Sequence, residues 1–443
     1  MAVDHVKTKE GIVHGVPMDG YTLFKGVPFA KPPVGELRFE PPVDPEPYIG
    51  GEYYATQWPK MAPQHFHEEP DSEGVRLYTR EFYSNPEFSV PASEDCLYLN
   101  IWTPAATGEE KLPVAMWIHG GGLEHGWCSE MEFDGAAYAA KGVILVSVAY
   151  RVNVFGFFYS EEQEARIGHS GNQGHLDQVQ ALRWIHENIA AFGGDPENVT
   201  VFGQSAGAMS TQAMVITPLT RGLLKGAILQ SGGGVSGMLG RGLSREEAAG
   251  ISEEVMQRCG VSGFDGLKKV PAAKLYRVAE EMMAEHMGLI FIHNVDGYMF
   301  TGSLEEMTEN RTLAEIPYMI GSTGRDIFVN KGDDYRKGGL YLAAVDYAER
   351  LERLGYPPVY VYEFTHDLPG NDDGPFHSTE LWYTFGSLGR CWRPMGEADY
   401  ALSERMVTAW TSFMKSGDPN GSAGKDGAWR PYTKADPFVE TFA

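Results

Sequence analysis

Short runs of β-branched and aromatic residues recur along the chain, each closed by glycine or a polar turn: Val114–Ile118, Val143–Ala149, Val199–Phe202, Ala227–Leu229, Ile316–Ile320 and Val359–Phe364. They are continuous rather than alternating, which predicts strands covered on both faces, as in a parallel sheet. Helical spacing falls between them. In HLDQVQALRWIHENIAAFGG, Leu176, Val179, Leu182, Ile185 and Ile189 recur every three or four residues, and Gly193-Gly194 supplies a stop. Two further helical patterns, LSREEAAGISEEVMQRCG and VPAAKLYRVAEEMMAEHMG, occupy segment 243–290 and are expected to lie over the sheet as a cap. YALSERMVTAWTSFMKSG, from 400 onward, predicts an amphipathic helix closed by Gly417. The first 65 residues hold only short β-like pieces among Pro and Gly. Strand, helix, strand in repetition predicts an α/β fold, a mostly parallel twisted sheet with helices on both faces. With no internal repeat and no dividing linker, 1–443 reads as one domain.

Composition removes alternatives rather than adding them. A chain of 443 residues with 43% hydrophobic and 12% aromatic content has ample material for a core. Its formal charge of −24 repels phosphate backbones and anionic lipid, so neither nucleic acid nor membrane is expected as a partner. No apolar stretch approaches the roughly 18 residues needed to span a bilayer, and MAVDHVKTKEG lacks the apolar segment of a signal peptide, so a cytoplasmic location is expected. Cys96, Cys128, Cys259 and Cys391 are far apart and form no C-x-x-C pair, which predicts neither a disulfide scaffold nor a metal site. His65-Phe66-His67-Glu68-Glu69 has the residue types of a metal site but no second cluster, and reads as a solvated loop. Three Asn-x-Ser/Thr triplets, at Asn198, Asn310 and Asn420, read as chance matches. No cofactor and no metal are expected; oligomeric state is not legible.

The candidate chemistry begins where a β-branched run meets small helix formers, in VTVFGQSAGAM at 199–209. A G-x-S-x-G match alone is weak, since 53 glycines in the chain give on the order of 0.3 chance matches. Context strengthens it. A tight strand-to-helix turn needs small residues two positions either side of a nucleophile, and the following helix aims its amino end at the same point. Ser205 is therefore the candidate nucleophile. WIHGGGLEHG follows the predicted strand Val114–Ile118, and its glycines let backbone N–H groups converge on a developing oxyanion. Gly121 and Gly122, with the N–H of Ala206, are the candidate donors, and His119 is read as orienting the loop. A neutral serine needs a base and an orienting acid, in the chain order Ser, acid, His. GSTGRDIF after Ile316–Ile320 offers Asp326; after Val359–Phe364, spacing leaves His366 and His377 both open.

Beyond these residues the chain resembles the type-B carboxylesterase and cholinesterase family over nearly its full length. The likeness lies in FKGVPFAKPPVGELRF, EDCLYLNIWTP, AYRVNVFGFF, GNQGHLDQ, NIAAFGGDPENVTVFGQSAGAMS and ILQSG. It implies an α/β-hydrolase fold and serine ester hydrolysis. GPFHSTELWYTFG resembles the family's histidine segment, which implies His377 as base and His366 as a loop residue. The family's usual G-T-N-x-x-E-G segment reads Gly321-Ser322-Thr323-Gly324-Arg325-Asp326-Ile327 here, an aspartate where a glutamate is customary. Cys96 matches a family cysteine whose customary partner position holds Met61, implying an unbridged loop. Ser231, in a family-like position, either supports the triad or ends a strand. Trp127, Trp382 and Tyr383 read as core aromatics. The chain is short between Asp326 and the strand at 359, which implies a more open gorge. The reading is a carboxylesterase acting through an acyl-enzyme on small to medium neutral esters. A feruloyl or acetyl esterase of plant cell-wall esters is the alternative, and a non-catalytic cholinesterase-like binding module is a remote one.

Overall fold

The structure is a computed structural model that describes residues 3–64, 73–235, 240–286, 289–421 and 429–443. The His65–Glu69 stretch and Ser422 of the third Asn-x-Ser triplet lie outside them. Thirteen strands form two sheets among the described residues: β1 (His5–Lys7), β2 (Ile12–His14), β3 (Val16–Pro17), β4 (Thr22–Pro28), β5 (Glu52–Tyr54), β6 (Tyr98–Thr103), β7 (Leu112–Ile118), β8 (Ile144–Val148), β9 (Gly194–Gln204), β10 (Gly226–Gln230), β11 (Tyr318–Thr323), β12 (Val359–Phe364) and β13 (Val439–Phe442). The small sheet orders as β1-β2-β5, and the large one as β13-β12-β11-β10-β9-β7-β8-β6-β4-β3. From β13 to β8 neighbours run parallel; β6, β4 and β3 continue antiparallel.

The two faces of the sheet divide the core by residue parity, because successive strand side chains point to opposite sides. Val114, Met116 and Ile118 of β7, Val199 and Val201 of β9 and Tyr318 and Ile320 of β11 share one buried cluster. Ala115, Trp117, Phe202, Met319 and Tyr360 belong to the other. Both faces are apolar, which explains why the strand sequences do not alternate.

Onto the first face pack the helices Gln173–Asn188, Ala206–Ile216 and Gly339–Arg353; onto the second packs Glu397–Ser416, through Leu402, Met406, Trp410 and Phe413. Each has a local reason to end. Gly417 takes φ 75° to close the last helix. Arg245–Cys259 opens on a capping box between Ser244 and Glu247 and closes at Gly260, φ 69°. Ala272–Glu285 follows it, and the buried side chains of both join the first cluster.

Several boundaries differ from the sequence pattern. β9 reaches from Gly194 to Gln204 where only Val199–Phe202 was β-rich, because Leu112 and Val114 of β7 pair with Gly194 and Val199. β11 ends at Thr323 rather than Ile320, carried on by pairing of Gly321–Thr323 with Tyr362–Phe364 of β12. The strand therefore delivers the chain to within three residues of Asp326.

Candidate active site

The carboxyl ends of the central parallel strands place Gly121, Gly122, Ser205, Ala206, Ser231 and His377 around one cavity of about 780 Å³, and Asp326 meets His377 at its edge. Ser205 stands between β9 and the helix Ala206–Ile216 at φ 58°, ψ −124°, a conformation that L residues seldom adopt. The turn is held by Ser205 N–H donating to Gln230 O at 2.8 Å. The flanking glycines follow from close packing. A Cβ on Gly203 would meet the Gly207 carbonyl oxygen at 2.3 Å, and one on Gly207 would meet the Ile118 carbonyl oxygen at 2.1 Å. Half-buried Ser205 faces the cavity with its hydroxyl in no described hydrogen bond.

Gly121 and Gly122, at φ 100° and 67°, turn the loop after β7 into the same cavity. A side chain on Gly121 would strike the His125 carbonyl oxygen at 2.2 Å. The N–H groups of Gly121, Gly122 and Ala206 donate to no described protein group, and Ala206 begins a helix whose first amides have no intrahelical partner. His119 lies behind this loop, its Nδ1 2.9 Å from Gly120 O and its ring stacked on Tyr150. Burial pulls its imidazole down to about 4, so it stays neutral and supports the loop.

His377 follows β12, and its Nδ1 lies 2.5 Å from Asp326 Oδ1. Asp326 also accepts the Thr323 N–H at 2.9 Å and the Ile327 N–H at 2.9 Å, so its shorter side chain is fixed by the backbone of its own loop. Burial pushes its carboxyl up, but the charge and hydrogen bond of His377, with help from Ser231 and the Thr323 amide, outweigh this and hold it below the usual carboxylate range. For His377 the order is mirrored: burial lowers the imidazole, and Asp326 together with Glu380 more than reverses it. Ser231 Oγ sits beside Asp326. No hydrogen bond joins Ser205 Oγ to His377 among the described residues; Gln204 Nε2 instead lies over the His377 ring, 3.2 Å from Nε2 and 3.5 Å from Nδ1.

His366 is elsewhere, its Nε2 2.9 Å from Asp399 Oδ1 on the last helix. Trp382 and Tyr383 are buried in the second cluster and Trp127 is buried beside the Tyr83 ring, and none of the three lines the cavity. Cys96, Cys128, Cys259 and Cys391 are all free. The segment after Asp326 does reach the site, through Ile327 and Leu340.

Four side chains escaped the sequence reading. Tyr78, on the wall helix Glu73–Phe82, donates from its hydroxyl to His377 O at 3.1 Å. Glu380 is fully buried one turn from His377, neither carboxyl oxygen hydrogen-bonded; burial and the Asp326 charge push it up to about 8. Glu130 and Glu132 are buried in the cavity wall, where burial raises both carboxyls and the Glu130 charge adds to the rise of Glu132. Nothing in the local sequence separates these acids from surface ones, since their burial comes from distant elements.

The carboxylesterase family matches the chain over residues 2–338 and 336–441. The chain is 34% identical to the para-nitrobenzyl esterase of Bacillus subtilis, across 94% of this chain and 91% of that protein. It is 33% identical to a medium-chain fatty acyl-CoA hydrolase precursor of Anas platyrhynchos, across 94% and 84%. A thermophilic PNB esterase superimposes with a TM-score of 0.85 at 30% identity, covering 99% of this chain and 96% of that one. No helix of the described residues is long and apolar enough to cross a membrane. The chain belongs to the carboxylesterase family, as a carboxylic ester hydrolase with the α/β-hydrolase fold.

Proposed function

We propose that this enzyme hydrolyses esters through an acyl-enzyme on Ser205, with His377 as general base and acid, Asp326 as its orienting partner, and the amides of Gly121, Gly122 and Ala206 as the oxyanion hole. The observation that carries the reading is the His377–Asp326 contact at 2.5 Å on a cavity that Ser205 shares. Asp326 takes the Nδ1–H and so leaves Nε2 as the basic nitrogen. When the ester binds, Ser205 Oγ moves into hydrogen-bonding reach of Nε2, as apo catalytic hydrogen bonds commonly close only in the complex. The hydroxyl proton passes to Nε2, Oγ bonds to the carbonyl carbon, and the oxygen that gains charge meets three unengaged amides, each worth roughly 3 kcal/mol of barrier. His377 then protonates the departing alcohol, and water repeats the sequence to release the acid.

The substrate class follows from the wall. Val75, Phe82, Met209, Met283, Leu289 and Ile327 make it apolar, and its described acids are Glu124, Glu130, Glu132 and Glu280, the first three raised by burial, without Lys or Arg. A carboxylate-bearing ester would find no Lys or Arg there to pair with, so small to medium neutral esters fit best. We also infer that the helices within 243–290 act as a cap, since Tyr276, Met283 and Ala284 close one side of the cavity.

Turnover of p-nitrophenyl acetate tests the triad. Ser205→Ala and His377→Ala are each expected to lower kcat by about 10³-fold or more. Full activity in either variant would contradict the assignment.

A further inference from the structure

Glu124 follows Gly122 in a loop whose backbone is fixed from within. Gly121 O accepts the N–H groups of Glu124 and His125, each at 3.0 Å. Fully buried Asn153 donates its backbone N–H to Leu123 O at 2.7 Å and its Nδ2–H to Glu124 O at 3.0 Å. The half-buried Glu124 side chain is thus carried by a rigid base, and it reaches across to the cap. Its Oε1 accepts the N–H of Leu289, just beyond the helix Ala272–Glu285, at 2.7 Å.

Leu289 takes φ 44°, a conformation that a leucine seldom adopts and that persists only where its surroundings enforce it. Ile290, Phe291 and Ile292 after it are buried in the first cluster, and the Glu124 carboxylate holds its amide. Its side chain lines the cavity against Gly122: a Cβ on Gly122 would lie 3.4 Å from Leu289 Cδ2 and 4.0 Å from Glu124 Oε2. An amide that receives a developing oxyanion is worth most where water is kept away, because hydrogen bonds strengthen as the local dielectric falls. A leucine held against Gly122 keeps water away; one relaxed from its strained backbone does not. We propose that Glu124 is a positioning residue: its carboxylate holds Leu289 over Gly122, so that the cap shields the oxyanion side of the cavity. This rests on the acyl-enzyme reading, with Gly122 as a donor.

The test is kcat and KM for p-nitrophenyl acetate in wild type, Glu124→Ala, Glu124→Gln, Leu289→Ala and the double variant Glu124→Ala/Leu289→Ala, with Ser205→Ala alongside. Glu124→Ala removes the acceptor; kcat is expected to fall about tenfold while KM stays within about twofold, since the shielded charge exists only in the transition state. Glu124→Gln keeps an oxygen for the Leu289 N–H and is expected to hold at least about half the wild-type kcat. Leu289→Ala removes the shield itself, so adding Glu124→Ala to it should cost less than about twofold more. Wild-type kcat in Glu124→Ala, a loss in Glu124→Gln as large as in Glu124→Ala, or losses that multiply in the double variant each overturn the proposal. Should the Glu124 variants misfold, hydrogen exchange in the wild type decides it: a protected Leu289 amide supports the clasp, and one that exchanges as in an unstructured peptide overturns it. If Ser205→Ala keeps full activity, the acyl-enzyme reading fails and the role of Glu124 with it; if Ser205→Ala is inactive while Glu124→Ala turns over like wild type, only the role of Glu124 fails.

Discussion

Ser205 carries a backbone conformation, φ 58° and ψ −124°, that glycine adopts freely and serine does not. The strain lifts the hydroxyl into the cavity and is sustained by what surrounds it: the bond to Gln230 O, β9 on one side and the helix on the other. Removing the side chain should release it. Ser205→Gly is expected to raise unfolding stability by about 1 kcal/mol while abolishing turnover, measured by denaturant unfolding beside the ester assay. A destabilised variant would mean the turn is held by the serine side chain rather than despite it. The serine was legible because the strain demands small neighbours, and small neighbours are visible in sequence. The histidine was not legible by spacing alone. His366 and His377 both follow β12, and what separates them is that one meets Asp399 on the last helix and the other meets Asp326, contacts between segments 33 and 51 residues apart.

At the scale of elements, the site is an intersection of the ends of β7, β9, β10, β11 and β12, and its tolerance is set by backbone approach. Gly207, in the first turn of the helix, lies under the carbonyl oxygens of Ile118 and His119, where a Cβ would sit at 2.1 and 2.8 Å. Those atoms belong to the end of β7 and the start of the glycine loop that follows it, and neither can give way without moving the proposed donors. Gly207→Ala is therefore expected to cost more than ~2 kcal/mol of stability and most of the esterase activity, whereas Gly250→Ala, with open space about its Cα in an outer helix, should be harmless. Equal melting temperatures for the two would contradict the close approach. The strands of the sheet could be read from their apolar runs, but their ends could not. β9 and β11 are longer than their β-branched stretches because partner strands supply the pairing, and hydrogen bonding to a neighbour leaves no mark on the residues that receive it.

For the whole molecule, the informative groups are buried acids that local sequence presents as ordinary. Glu380 has a folded pKa pushed up to about 8, against roughly 4.3 when exposed. Between those values the folded state holds a proton that the unfolded chain has released, so stability falls as pH rises through that window and levels off above it. The slope belonging to this one group is roughly 1 kcal/mol per pH unit. Glu380→Gln should flatten the decline in unfolding free energy between pH 5 and 8, and an unchanged slope would place the proton elsewhere. Fold class, helix periodicity, the elbow and Asp326 were written locally; Glu380 beside the histidine was not, because only the closed sheet buries it there.

The claim on which the rest depends is that Ser205 is made nucleophilic by His377. Labelling with an alkyl fluorophosphonate measures this directly, since serine oxygen bonds to phosphorus as fluoride leaves. Peptide mapping is predicted to place the adduct on Ser205, with the labelling rate falling by about 10³-fold or more in His377→Ala. An adduct on another residue, or a rate on Ser205 unchanged by loss of the imidazole, would contradict it.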